Sequence, residues 1–493
     1  MSNRSTPGLR QWLMVTLLVG AAVFILYKIY QYGTFRQYLP AGLTVGGINV
    51  GGMTEDEARE LISSRYEESD VVIYHGEESI SVSPGDIEFE LDLESMMTEA
   101  DYQRSQQDFW AGFWGFLWNR PIEVEMVQLR ARHDADELRR VLETIAGGFD
   151  TPAQPPQPVP TTLTFQYGEA GVQTDVDASI ADVTAAFYRP STREAHLVLK
   201  PLTPARPDMT LLGRLIANHL QERAFGGVAS VFILDLASGQ EVFIDAGVAM
   251  SGMDLLRVPV ALDAYRMIEG PPSLSQTANI TRTLLTEEPE APQALLNLIA
   301  GQNNAFLGAQ LMTESMWRLG LKNTFIAIPY GEGTVPGGRT SYETPANTAP
   351  GQLTEPTTTM QTTAEDMGTL LAMIYYCADG NGGALMAAYG DSITREECQQ
   401  IIDVMSQNRI GSLIEEGVPA TTTVAHRHAW IGDTHGDAGI VFTPGGDYVI
   451  AMIFFQHDWL PWERSSPLMA DISRATYNYF NFDNPFLDTS RAN

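Results

Sequence analysis

Lysine is nearly absent from this chain: among 493 residues it occurs only at Lys28, Lys200 and Lys322, so almost every basic side chain is arginine. Arginine stays protonated over the accessible pH range, whereas a lysine can be tuned into a base. Chemistry that needs a lysine base therefore has three positions to draw on. Cysteine is as scarce. Cys377 and Cys398 are the only two, 21 residues apart, and that spacing fits neither a zinc site nor a redox motif. They read either as two buried thiols or, in an oxidising compartment, as a pair. Positive charge is short as well: 30 Lys and Arg stand against 61 Asp and Glu, for a net charge of −31 and a pI near 4.5. Such a balance argues against a phosphate-binding surface, so nucleic acid is not an expected partner. No cofactor is expected.

What the chain does have is one long apolar run. Trp12 to Tyr30, "WLMVTLLVGAAVFILYKIY", is apolar apart from Thr16 and Lys28, close to the ~20 residues needed to cross a bilayer. Arg4 and Arg10 precede it and favour a cytoplasmic N-terminus, while Lys28 and Arg36 follow and blur that bias. No small-x-small cleavage site follows, which favours a retained anchor over a cleaved signal peptide. The expectation is a cytoplasmic tail over residues 1–11, a transmembrane anchor over 12–30, and a single-pass protein of the cell membrane whose bulk is extracytoplasmic.

The remainder is long enough for two or three domains. After the anchor comes "LPAGLTVGGINVGGMTEDEARELISSRYEES", leading into an α+β region over 41–205, and in it Thr54 and Glu57 have the capping-box spacing ahead of a helix. Strand-like "DVVIYHG" and "SISVSPGDIEFELD" follow. A second round begins at residue 134: the helix "DADELRRVLETIAGGF", the Pro-rich connector "TPAQPPQPVP" over 151–160, strands "TTLTFQYG" and "GVQTDV", the helix "ASIADVTAAFY" and the strand "AHLVLKPL". Two rounds of helix then strands make a weak internal duplication of an α+β module. The region, above all "GLTVGGINVGGMTEDEA", resembles the peptidoglycan-binding module found beside VanW-like and L,D-transpeptidase domains. That resemblance implies peptidoglycan as a partner; the plain alternative is a spacer, because caps and turns report fold and not ligand. The aromatic cluster "FWAGFWGFLW", Phe109 to Trp118, reads as core or a domain contact ahead of a sugar platform or a lipid-surface contact.

Residues 210–482 begin with the helix "LLGRLIANHLQERA" and a hairpin, "GVASVFILDLASGQEVFIDAG", turning at Ser238 and Gly239. A helical stretch over about 254–415 follows, and then "TTTVAHRHAW", "GDAGIVFTP", "GGDYVIAMIFF" and a final helix around "ISRATYNYFNF". An antiparallel sheet built from both ends of the domain and enclosing a helical lobe is an α+β layout with its natural pocket between the lobes. This order, together with "GMDLLRVPVALDAYRMIEG", "LIAGQNNAFLGAQLMTESMWRLGLKNT", "QTTAEDMGTLLAMI" and "VAHRHAWIGDTHGDAGIVFTPGGDYVIAMI", resembles the class A β-lactamase and penicillin-binding-protein family of serine hydrolases. It covers the whole C-terminal domain in the family's order.

The family's chemistry does not carry over. Its first motif, Ser-x-x-Lys, supplies a hydroxyl nucleophile and, one turn on, a lysine that helps remove its proton. Here the matching positions hold Asp254 and Arg257, which can do neither. No lysine in the chain rescues the motif, since Ile25, Leu197 and Leu319 stand three residues before the three lysines. The second motif, Ser-Asp-Asn, falls on Gly301, Gln302 and Asn303, keeping only the Asn. The third, Lys-Thr-Gly, falls on Arg427, His428 and Ala429: Arg427 preserves a charge suited to a carboxylate, and His428 is expected to narrow the site. The deacylating Glu of class A enzymes has no assignable position; Glu332, Glu343 and Glu355 lie in the long loop 330–359 and nothing in the spacing selects one. No residue is assigned a catalytic role.

The residues have structural readings too. Asp254 is expected to cap the helix that opens there, worth ~1 kcal/mol over Ala, with Arg257 pairing to it three residues on and Pro259 tolerated in the first turn. "HRHAWIGDTHGD" gathers His426, His428, Asp433, His435 and Asp437. That is a pattern open to metal, but the strand-turn-strand reading outweighs it and no metal site is expected. A triad using Ser251 with one of these histidines is set aside as weaker still. The leading expectation is an envelope protein whose β-lactamase-like domain is a pseudoenzyme that binds cell-wall peptide, glycan or a protein partner. The alternatives are an active β-lactamase or D-alanyl-D-alanine peptidase with an unrecognised nucleophile, and an envelope scaffold whose cleft binds nothing.

Overall fold

Helix α1, Leu9–Phe35, extends the apolar run at both ends; among the described residues it is the one helix long and apolar enough to cross a membrane, and its Trp12–Tyr27 stretch is exposed while Tyr32 near its C-terminal end is buried. The structure, a computed structural model, describes residues 9–106, 108–120, 124–380 and 382–487. Of the expected cytoplasmic tail, residues 1–8 with Arg4 lie outside them. Two compact units form: Met1–Gln154 with Glu169–Pro204, and Pro155–Gly168 with Ala205–Asn493.

In the first unit α2 (Glu55–Tyr66) starts at the expected capping box, the Thr54 hydroxyl accepting from the Glu57 N–H at 3.3 Å while the Glu57 carboxylate accepts from the Thr54 N–H at 2.8 Å. Helices α3 (Leu93–Ser105), α4 (Phe109–Leu117), α5 (Ala135–Phe149) and α6 (Val176–Phe187) follow. In α5 the apolar residues Leu138, Leu142, Ile145 and Ala146 recur at helical spacing and all are buried. Strands β1 (Val71–His75) and β2 (Glu78–Val82) make a hairpin, and β3 (Glu194–His196) adds to β1 in parallel, Ala195 opposite Ile73. The two helix-strand rounds therefore share one sheet and one core, in which Ile62, Ile73, Leu142 and Phe187 all take part. The aromatic cluster is only partly core: Phe113 is buried, whereas Trp110, Trp114 and Trp118 are exposed.

The second unit includes residues 155–168, which the sequence order had grouped with the N-terminal region. Strand pair Gln157–Val159 and Thr164–Gln166 sits here because Leu163 and Phe165 join the apolar cluster of the C-terminal helices. Helices are α7 (Met209–Glu222), α8 (Arg257–Arg266), α9 (Leu274–Leu285), α10 (Glu290–Ile299), α11 (Ala305–Arg318), α12 (Ala364–Asp379), α13 (Ala384–Tyr389), α14 (Arg395–Met405) and α15 (Trp462–Phe480). Strands β4 (Val228–Asp235), β5 (Glu241–Ile244), β6 (Thr423–Trp430), β7 (Thr434–Phe442) and β8 (Tyr448–Phe455) form one antiparallel sheet in the order β5-β4-β8-β7-β6, joining both ends of the domain.

Period-two alternation explains how one continuous apolar run, "YVIAMIFF", serves two cores. Val449, Ala451, Ile453 and Phe455 face the helical lobe, and Tyr448, Ile450, Met452 and Phe454 face the layer containing α7 and α15. Helix α12 crosses the inner face closely: a Cβ on Gly368 would lie 2.2 Å from the Phe232 ring, so only glycine fits there without a shift. Cys377 on α12 and Cys398 on α14 are joined by a disulfide inside this lobe, resolving the alternatives left by their spacing. Closing a loop of that size constrains the unfolded chain by ~3 kcal/mol. Changing both cysteines to alanine is expected to lower the unfolding free energy of this unit by about that amount in urea melts, and non-reducing peptide mapping is expected to recover the linked pair.

Candidate functional site

The chain reaches the first motif position through the short strand Met250–Ser251 and a tight turn. Met253 adopts a left-handed φ of 49°, and a Cβ on Gly252 would lie 2.5 Å from Leu256. A single 3-10 turn, Met253–Leu256, precedes α8, and neither start is capped by a side chain. Asp254 is therefore not the helix cap that its position suggested. Its carboxylate is drawn to two guanidiniums instead, accepting from Arg257 Nε at 2.7 Å on one oxygen and from Arg427 Nη2 at 3.0 Å on the other.

Both arginines are 1% exposed, and two buried cations with one anion leave a net positive charge to be solvated. Backbone carbonyls do this. Arg257 donates to Thr286 O, Glu288 O and Glu287 O at 2.9, 3.0 and 2.8 Å. Arg427 donates to Leu284 O at 3.2 Å and Thr286 O at 3.0 Å. These acceptors lie at the C-terminal end of α9 and just beyond it, where orphan carbonyls and the helix dipole favour cations. The Arg257 guanidinium also sits 5.0 Å from the Tyr330 ring centroid, and the Tyr330 hydroxyl donates to Met253 O at 2.9 Å. Burial, with the Asp254 charge beside it, pushes the Tyr330 phenol far above its usual range, so it is a hydrogen-bond donor only. Burial likewise lowers the Arg427 pKa, with Asp254 opposing that shift.

Asp254, Arg257 and Arg427 are thus brought together; the other expected positions are not. Gly301, Gln302 and Asn303 are exposed on the turn between α10 and α11, where Gly301 has φ 64° and Asn304 caps α11. The segment that meets the cluster is the α9–α10 connection, Thr286–Glu288. Strand alternation also corrects His428. Arg427 shares its face with Ala425 and Ala429, which pack into the helical-lobe core, while His428 points to the opposite face. There it stacks on Trp430 at 5.0 Å and its Nδ1 pairs with Asn408 Nδ2 at 3.1 Å. Burial depresses the His428 pKa to about 4.

The remaining histidines and acids divide among separate partners. His426 Nδ1 lies 2.9 Å from Asp437 Oδ1; burial alone would push His426 down, but Asp437 and Glu415 outweigh it and its pKa is raised. His435 Nδ1 bonds the Ser465 hydroxyl at 2.6 Å, and Asp433 bonds Thr434. Ser251 is buried and accepts from the Thr357 N–H at 2.9 Å. Glu332, Glu343 and Glu355 are exposed, Glu332 bonded to Gln293 and Glu355 lying 3.4 Å from His457. Among the described residues no group of three or more His, Cys, Asp or Glu is placed to hold a metal.

Residues 304–480 match the model of the β-lactamase enzyme family. Similar solved structures include PBP-A (18% identity, TM-score 0.40, covering 57% of this chain and 99% of that one). A β-lactamase from Sphaerobacter thermophilus is 13% identical with a TM-score of 0.43, covering 57% of this chain and 100% of that one. A class A β-lactamase representative from Bacteroides cellulosilyticus is 14% identical with a TM-score of 0.41 over the same shares. No curated protein matches the chain. The C-terminal unit therefore carries a β-lactamase-like domain.

Carbonyl acceptors and Tyr330 were invisible to motif reading, because a carbonyl has no residue signature. The available signal was charge: two arginines around one Asp need more acceptors than that Asp supplies. Asp254→Ala is expected to cost about 3–5 kcal/mol in urea unfolding, because it leaves two buried guanidiniums without a counterion. His428 has a folded pKa below its unfolded value, so its contribution is present above about pH 6.5 and lost as the pH falls toward 4. His428→Gln is therefore expected to flatten the fall in stability between those pH values relative to the parent chain, by up to about 3 kcal/mol in paired denaturant melts.

Proposed function

We propose that this chain is a membrane-anchored extracytoplasmic protein whose β-lactamase-like domain forms no acyl-enzyme and acts in binding, to cell-wall peptide or glycan or to an envelope protein. One observation carries the reading. Where the family's nucleophile and lysines would stand, a carboxylate is shared between two buried guanidiniums whose other protons are spent on carbonyls. Asp254 has no hydroxyl with which to attack an acyl carbon, neither arginine can accept a proton as a lysine does, and the Tyr330 hydroxyl is committed to Met253 O. The buried hydroxyls elsewhere do not substitute. Ser251 accepts a backbone N–H, and Ser465, which has a histidine partner, is fully buried.

Arg427 is the natural anchor for a ligand carboxylate, yet Asp254 already occupies it. An anionic peptide end would have to displace that carboxylate, so recognition through surfaces outside the cluster is favoured. The N-terminal region, which resembles wall-binding modules, is the first candidate. Incubating the full chain with a fluorescent penicillin is expected to leave its intact mass unchanged. A stable adduct mapped to any serine would overturn the non-catalytic reading, and failure of the full chain to pellet with purified cell wall would overturn the wall-binding part while leaving a protein partner.

A further inference from the structure

Helix α4 has two unlike faces. Phe109, Phe113 and Phe116 turn toward α1, where the Tyr32 ring meets them at centroid separations of 5.4, 5.8 and 5.5 Å, and Phe35 meets Phe116 at 5.3 Å. Trp110 and Trp114 line the other face, with Trp118 following as the C-cap, and the three are 57%, 52% and 69% exposed. Their four-residue spacing puts the three indoles in one row. Such a row on a helix with no charged residue between Phe109 and Leu117 is an apolar patch that needs a cover.

The course of α1 indicates the cover. Trp12 to Tyr30 spans ~27 Å at 1.5 Å per residue, close to the ~30 Å hydrocarbon thickness of a bilayer. With Trp12 at one boundary, exposed Tyr30 falls at the other, and Tyr32, the residue that α4 packs on, lies half a turn beyond. Lys28 is 5.8 Å from the Phe116 ring and Arg36 is 5.8 Å from the Phe109 ring, so α4 is level with the cationic end of α1. Tryptophan suits that level because its ring is apolar and its N–H seeks a polar partner.

We infer that α4 lies in the outer headgroup layer of the membrane with Trp110, Trp114 and Trp118 inserted into the lipid surface, a second membrane contact beside α1. The inference rests on reading α1 as the membrane anchor. Two contacts of this kind restrict the tilt and depth of α1, as interfacial anchors do, and hold the first unit against the bilayer instead of leaving it on a free tether.

The test uses the full chain in phosphatidylcholine vesicles carrying bromine either near the glycerol end of the acyl chains or near the bilayer centre. The emission that disappears in the Trp110→Phe/Trp114→Phe/Trp118→Phe variant is the α4 signal; Trp118→Phe alone, changing the most exposed of the three, guards against misfolding of the triple variant. The α4 signal is expected to lose intensity in brominated vesicles, more with shallow bromine than with deep. Trp12→Phe reports α1 separately. Quenching of Trp12 without quenching of the α4 signal overturns the inference and keeps the anchor, and absence of both overturns both. Quenching of the α4 signal alone supports the surface contact and removes the anchor.

Discussion

The carboxylate of Asp254, held between Arg257 and Arg427, is the interaction on which the C-terminal unit turns. Removing two guanidiniums from water costs several kcal/mol each, and attraction to the half-buried Asp254 carboxylate repays this only when the remaining donors are satisfied too. Here the satisfaction comes from the last turn of α9 and the α9–α10 connection, whose carbonyls at Leu284 and at Thr286, Glu287 and Glu288 face the guanidiniums. One ion cluster thereby ties together the start of α8, the edge strand β6 and the end of α9. Tyr330 closes it from the long loop through its bond to Met253 O.

The same saturation bears on chemistry. A hydrolytic cleft keeps its polar groups under-satisfied until substrate arrives, because catalysis draws on interactions made in the transition state. In this cluster the groups already satisfy one another. On the proposed reading the domain keeps the family's sheet and helical lobe while the motif positions have become a structural brace, with binding carried by other surfaces.

Some of this was legible in the residues and some was not. The capping box at Thr54 and Glu57, the hairpin of β4 and β5, and the Asp254–Arg257 pair follow from local spacing, which acts within one or two turns of chain. That Gly301–Asn303 stand exposed while the α9–α10 connection meets the arginines was not legible, because that connection contributes carbonyls that any residue could supply. His428 was misplaced for a simpler reason. Adjacent residues on a strand point to opposite faces, so Arg427 and His428 cannot both line the cleft. Residues 155–168 went to the wrong neighbour because chain order does not decide which core takes Leu163 and Phe165.

By itself the sequence determined what the protein lacks and where its apolar faces recur: no Ser-x-x-Lys anywhere, an N-terminal run long enough for a membrane, and an α+β order of helices and strands. Those are properties of composition and local period. Only the tertiary structure decided that the two cysteines bond, that α4 turns its phenylalanines toward α1 and exposes its tryptophans, and that Arg427 reaches Asp254 across 173 residues of chain. Each of those depends on which distant surfaces meet, and burial and charge pairing are settled only where they do.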